Sequence, residues 1–384
     1  MPAIYMDNAA TSFPKPPAVA EAMLRYTQEI GASINRGVYA SAQEVGMTAL
    51  LLREELCQLF HHSDPTHCVL TSGNTAGLNL ILQGWLRPGD HCVVSSMEHN
   101  AVMRPLRALE TRGVTFDCAA CDHQGRLELN DLRRCIRPNT RLVLMNHASN
   151  VGGGVQDAAA VGDICREYGV PFALDAAQTA GHWKIDFAGW GLSALSVPGH
   201  KGLMGPSGIG ALLLSPQFAR ELQPIIFGGT GSASDSEIQP DYMPDRFESG
   251  TLNLPGIYGL EASVRFILNT GVDTIQSHET ALTRRLLEQL RDVRGVCLAG
   301  PWELENRVGV ISLDFQGRDN AETAYQLEEK FGILTRCGLH CAPAAHKTLG
   351  TFPQGTVRLS VGWFSAAEDV DSAAAAIARL AGHG

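Results

Sequence analysis

Lys201 stands in SVPGHKGLMGPSGIG, between a short apolar run and a glycine-rich turn, with His200 beside it. A lysine crowded by apolar groups and cations loses its proton more readily than one in water, and its free amine can form a Schiff base. For a lysine taken alone, a solvated loop is the stronger expectation, so its company decides. FALDAAQTAG ends an apolar run on Asp175, with Gln178 three residues on. A carboxylate at the end of a buried strand needs a partner or a charge to meet, although capping a helix would account for it equally well. VLTSGNTAGLN puts Ser72, Gly73, Asn74 and Thr75 where a strand should stop and a helix begin. Free N–H groups and the helix dipole favour an anion at such a junction, yet a plain helix cap is the commoner explanation of any single one. SSMEHNA and LMNHASNVGG place His99, His147 and Asn150 after further apolar runs.

RCGLHCAP raises a separate question. It holds Cys337 and Cys341 four apart, flanked by Arg336 and His340. Half of a metal site, one end of a disulfide and a loop presenting a reactive thiol are all open readings. Against a metal, the CAAC at Cys118 to Cys121 is a lone CxxC with no second pair at zinc spacing. The ten cysteines are scattered, and several (Cys68, Cys92, Cys165, Cys297) lie in apolar runs. Those read as buried, reduced thiols.

The elements that must position these groups follow from periodicity. Short apolar runs occur at 67–72, 91–96, 114–119, 141–147, 170–175, 194–197 and 209–215, and amphipathic segments separate several of them. That alternation predicts a mostly parallel α/β sheet covered on both faces, with ligands gathered at the carboxyl ends of its strands. After about 255 the pattern becomes α+β. Helical stretches near 274–293, 320–331 and 366–381 alternate with RVGVISLDF, GILTR and TVRLSVGWF. The segment 228–246 is polar and rich in Gly, Ser and Pro, a length of loop that is uncommon unless functional.

At 384 residues the chain suits one large domain and a smaller one. Hydrophobic residues make up 45% and charged residues 18%, ordinary for a globular enzyme. A net charge of -10 without a basic block argues against nucleic acid as the main partner. No apolar run is long enough for a membrane span, and the N-terminal stretch lacks a secretory pattern. The expected location is therefore cytoplasmic.

A phosphate cup, an Asp at a strand end and a downstream Lys are the three anchors that pyridoxal 5'-phosphate needs, and His99 could stack on its ring. The sequence also resembles the cysteine desulfurase and selenocysteine lyase family, within the class V aminotransferase fold. The resemblance runs from YMDNAATSFPKP through INRGVYASAQ, SGNTAGLN, MEHNA, HASNVGG, LDAAQ, PGHKGLMGPSGIG and RFESGTLN to RCGLHCAP and TVRLSVGWF. It implies fold type I of the pyridoxal-phosphate enzymes. A large domain at 16–255 would hold a mostly parallel seven-stranded sheet. Residues 1–15 and 256–384 would form a small α+β domain carrying the cysteine loop.

Position by position, the resemblance makes Lys201 the cofactor-anchoring lysine and Asp175 the partner of the pyridine nitrogen. Gln178 matches the residue bonded to the phenolic oxygen, and His99 the stacking and proton-transferring histidine. Gly73, Asn74, Thr75 and His200 match the phosphate site. Thr251 matches a threonine that reaches the neighbouring subunit's phosphate, which implies a homodimer. Arg358, with Asn150 and Arg36, matches the substrate-binding set, Arg358 pairing with the carboxylate. The pattern Arg, any residue, Gly, two residues, Cys falls on Arg336, Gly338 and Cys341. Cys341 is thus the implied nucleophile, and Cys337 occupies a variable slot.

The implied reaction turns L-cysteine, or L-selenocysteine, into alanine with a persulfide left on Cys341 for an acceptor protein; no metal is implied. The thiolate this needs would draw on His340, Arg336 and Arg358, as positive charge or proton acceptor. A selenocysteine lyase, or a transaminase or epimerase on the same fold, is the alternative. Two departures stand out: Pro198 replaces a serine that often contacts phosphate, and 228–246 is shorter than the corresponding hairpin of Suf-type members.

Overall fold

The computed structural model describes residues 3–34 and 37–382; Arg36, implied in substrate binding, lies outside the described residues. The chain opens with β1 (Ile4–Tyr5) and the helices α1 (Pro17–Arg25) and α2 (Ala40–Phe60). The central sheet follows: β2 (Cys68–Thr71), β3 (His91–Ser95), β4 (Thr115–Ala119), β5 (Thr140–Asn146), β6 (Phe172–Asp175), β7 (Ala194–Pro198) and β8 (Gly210–Leu214). Each strand coincides with one of the seven apolar runs. Their order is β2-β8-β7-β6-β5-β3-β4, and β8 alone runs against the rest.

Every residue of β3, β7 and β8 is buried, as a sheet covered on both faces requires. One face packs under α3 (Asn74–Trp85) and α4 (Asn100–Glu110), through Leu78, Ile81, Val102 and Leu106. The other takes Leu52 and Leu56 of α2, Leu132 of α5 (Leu129–Cys135) and Ile164 of α6 (Ala158–Tyr168). After β8, the short α7 (Pro216–Glu221) returns to the first face through Phe218. The segment 228–246 forms no helix or strand. Side-chain bonds brace it, among them Gln239 Nε2 to Ser249 Oγ at 3.0 Å and Arg246 to the Leu222 carbonyl.

Helix α8 (Leu254–Thr270) differs from the sequence pattern, which assigns it to the second domain. Its Ile257, Leu260 and Val264 belong to the core beneath the large sheet, because so apolar a helix finds there the larger surface to bury. Helix α9 (Val272–Leu290) then leads to a four-stranded antiparallel sheet. That sheet comprises β9 (Val296–Ala299), β10 (Val310–Phe315), β12 (Arg336–Gly338) and β13 (Thr356–Ser360), in the order β12-β13-β10-β9. With α10 (Asn320–Phe331) and α11 (Ala367–Ala381) it encloses a core of Leu286, Ile311, Leu327, Leu359 and Ile377.

GILTR does not join this sheet. Its β11 (Ile333–Leu334) pairs in parallel with β1, stitching the start of the chain to its last third. Among the described residues no helix is long and apolar enough to cross a membrane.

Candidate active site

Strands β2, β3, β5, β6 and β7 end on one side of the sheet, and the residues that follow them line a cleft of about 860 Å³ with residues of β12, β13 and the loop between. The strand-end rule thus holds for this chain. Gly73, Asn74 and Thr75 come from the β2–α3 junction, His99 from the start of α4 and Asn150 from the loop after β5. Asp175 ends β6 with Gln178 just beyond, and His200 and Lys201 follow β7. Arg358 of the small sheet and Cys341, in the loop between β12 and β13, face them. Thr251 is not in this cleft; it lines a neighbouring cavity of about 350 Å³.

Asp175 is buried, and its Oδ1 accepts from Asn74 Nδ2 at 2.8 Å and from the Ala177 N–H at 3.0 Å. Only turns follow it, so it caps no helix. Burial raises its pKa, while those bonds and Lys201 pull the other way. Burial also lowers Lys201 to about 8; Asp175 opposes this, and Arg358 and Arg336 add to it. A usable fraction of neutral amine therefore exists near neutral pH.

His99 Nδ1 accepts from the Ala101 N–H at 3.0 Å, which leaves Nε2 as the protonated nitrogen. Burial, then Lys201 and Arg104, depress its pKa to about 4, so the ring is uncharged. His200 is likewise lowered to about 4 by burial, Lys201 and Lys15. Its Nδ1 is buried with no hydrogen-bond partner. Gly73 takes φ +136°, and a Cβ there would touch nothing within 4 Å. No side chain caps α3, so its first N–H groups, those of Asn74 and Thr75, are left for an anion in the cleft. Pro198 lines the same wall and has no N–H or hydroxyl to add.

Arg358, 2% exposed, spends Nη2 on Asp7 Oδ1 at 2.8 Å and Nη1 on the Asn150 carbonyl at 3.1 Å. Its Nε is buried and unpartnered. Arg336 reaches the cleft from β12 and has no ion-pair partner among the described residues. Cys337, its neighbour on the strand, must point to the opposite face, where burial and then Asp319 raise its pKa. Cys341 is exposed, and all ten cysteines are free thiols. Among the described residues no group of three or more His, Cys, Asp or Glu could hold a metal ion.

The cysteine loop has an unusual backbone. His340 and Cys341 have φ of 47° and 57°, the left-handed region that costs a non-glycine residue about 1–2 kcal/mol. Two bonds from the large sheet's side oppose that cost, each of a type worth about 0.5–1.5 kcal/mol net. Asn150 Nδ2 donates to the His340 carbonyl at 2.7 Å, and the Asn100 N–H to the Cys341 carbonyl at 2.8 Å. Burial, with Arg358 next, pushes the His340 pKa far down. The ring is therefore uncharged and too weak a base to take a thiol's proton, so His340 fills neither of the two expected roles; its Nδ1 is buried and unpartnered. The positive charge around Cys341 comes from the arginines.

Sequence reasoning missed Asp7, although it stands in the quoted YMDNAAT, and it missed Asn100 and Glu98. Glu98 is buried and its Oε1 accepts from Ser95 Oγ and the Asn146 N–H, tying the end of β3 to that of β5. Its place beside His99 in MEHNA was the available signal.

Residues 4–372 match the family described as Aminotransferase class-V, and the chain belongs to that family. Its relatives narrow the comparison. A probable cysteine desulfurase of Methanothermobacter thermautotrophicus is 32% identical over 387 residues, covering 99% of this chain and 95% of the relative. Another, from Pyrococcus abyssi, is 32% identical and covers 96% and 92%. The apo structure of a cysteine desulfurase from Thermococcus onnurineus superposes with a TM-score of 0.93 at 31% identity, covering 100% of this chain and 95% of that one. An Escherichia coli cysteine desulfurase gives 0.88 at 27% identity, covering 98% and 94%.

Proposed function

We propose that the protein is a pyridoxal-phosphate-dependent cysteine desulfurase that moves sulfur from L-cysteine to Cys341 and releases L-alanine. The observation that carries this reading is the meeting of Lys201 and Cys341 across one cleft with Arg358 between domains. The donor set suits the cofactor. The open cradle at Gly73, the first N–H groups of α3 and the orphaned His200 Nδ1 suit a phosphate. Asp175, oriented by Asn74, suits a protonated ring nitrogen, with His99 against the ring and Gln178 at the phenolic oxygen. When bound, pyridoxal phosphate supplies an electron sink for the substrate's Cα.

Lys201 anchors the cofactor and, once free, takes the Cα proton at Nζ. Arg358 holds the substrate carboxylate as a guanidinium fork, its charge already balanced in part by Asp7. Cys341 Sγ attacks the substrate sulfur as thiolate. The S–S bond forms as the substrate's Cβ–S bond breaks, and the electron pair stays with the carbon skeleton, which is protonated and leaves as alanine. A transaminase or epimerase would give Cys341 no task, and the named relatives favour cysteine over selenocysteine.

Exposure of Cys341 supports delivery of the sulfur to an acceptor protein's thiol. A homodimer is supported by Met47, Leu50 and Leu51, an exposed apolar stripe at helical spacing on α2; Thr251 would then serve the partner's phosphate site. Ten free thiols suit a reducing, cytoplasmic setting. Turnover of L-cysteine by a Cys341→Ala variant tests the reading: near-complete loss is expected, and full retention would refute the thiol's role.

A further inference from the structure

Cys341 is held from outside its own loop. Within the loop the closing bond runs from the Ala342 N–H to the Leu339 carbonyl at 2.8 Å, too little to keep two successive residues left-handed. The rest comes from Asn150, from the Asn100 N–H and from Thr356, whose Oγ1 lies 3.1 Å from His340 Nε2. Only an amide nitrogen can donate to the His340 carbonyl, so that bond also fixes which way the Asn150 side chain faces. Asn150 itself is 7% exposed, and its backbone carbonyl receives Arg358 Nη1. One residue thus ties the carboxylate-binding arginine to the cysteine loop.

Its own segment is secured against the small sheet. Arg307, fully inside the protein, donates to the Val310 carbonyl at 2.6 Å and the Gly152 carbonyl at 3.4 Å, and the Val308 N–H to the Gly153 carbonyl at 2.9 Å. Gly153 is left-handed at φ +75°, and a Cβ there would lie 2.6 Å from the Val310 oxygen. The segment that bears Asn150 is therefore a fixed mount, from which a side chain can hold something else in place.

We infer that Asn150 is a positioning residue for the sulfur-accepting thiol, and that this tether, more than contact with substrate, is its contribution to the reaction. The inference rests on the reading of Cys341 as acceptor. It applies only to the placement of the thiol, and leaves the carboxylate to Arg358.

Two variants remove the two tethers from the large sheet's side separately. Asn150→Ala deletes the side-chain bond. Asn100→Pro deletes only a backbone donor, since Asn100 is the first residue of α4, where proline is tolerated, and His99 before it already has φ -75° and ψ 156°. Hydrogen exchange over 339–342 is measured in the resting holoenzyme, and kcat and KM for L-cysteine are measured alongside. Each variant should speed exchange of the Ala342 amide about fivefold, the factor a lost hydrogen bond of ordinary strength gives, and should lower kcat with KM nearly constant. Unchanged exchange with a raised KM in Asn150→Ala would make Asn150 a substrate ligand and overturn the inference. So would faster exchange with kcat intact. If Asn150→Ala loses protection throughout β3 and β7, the fold has failed and Asn100→Pro decides alone. Failure of the acceptor reading is separable, since it shows as full turnover in Cys341→Ala whatever the exchange data say.

Discussion

The two walls of the cleft are made in different ways. On the large-sheet wall, Asp175 and Lys201 sit where buried strands end, so the sheet places them with little help. On the opposite wall, Cys341 occupies a left-handed backbone held by bonds from Asn100 and Asn150. The first wall is a product of the core; the second is a product of contacts between the segments beside the two sheets. Damage to the first should act on chemistry alone, whereas damage to the second should also act through geometry.

Substitutions can break or sharpen that contrast. The largest effect is expected from Lys201→Ala, which on the proposed reading removes both anchor and base: kcat for alanine release should fall by about 10²–10⁴-fold, the usual worth of a positioned acid–base group, with the thermal midpoint hardly changed. Arg358→Lys comes next. It keeps a charge but loses the fork, and KM for L-cysteine should rise about 10- to 100-fold. Because Arg358 also bonds Asp7 and Asn150, its thermal midpoint should drop too, unlike that of Lys201→Ala.

The large-sheet wall also has a pH signature. A neutral amine is required to react with an aldehyde, and Lys201 is lowered to about 8. Uptake of pyridoxal phosphate by the cofactor-free protein should therefore accelerate as pH rises through about 8 and level off above it, followed by absorbance. Acceleration only near the ordinary lysine value would show that burial does not tune this amine. The smallest effect belongs to Cys337→Ser. Its side chain faces away from the cleft, so L-cysteine turnover should stay within about twofold, as for substitutions away from a site.

Much of the fold was legible because it is written locally. All seven strands of the large sheet announced themselves as apolar runs, and the nominated residues Asp175 and Lys201 line a cleft at their carboxyl ends as strand polarity requires. The pairing of β11 with β1 was not legible, nor was the place of α8, since two-residue strands and an apolar helix carry no mark of their partner. The same limit applies within the site. Asp7 meets Arg358 across 351 positions, and Asn150 meets His340 across 190. Motifs could nominate Arg358, Asn150 and Cys341 one by one, but not the bonds that bind them into one device. The proposed preference for Cys341 over Cys337 rests on the family spacing first and on the strand alternation afterwards.

The central claim is that Cys341 takes the substrate's sulfur, and mass spectrometry of the protein after brief exposure to L-cysteine tests it most directly. Peptides should show the mass of one added sulfur atom on Cys341 and none on Cys337. Alanine formed with the sulfur on a different cysteine, or on no cysteine at all, would contradict the account.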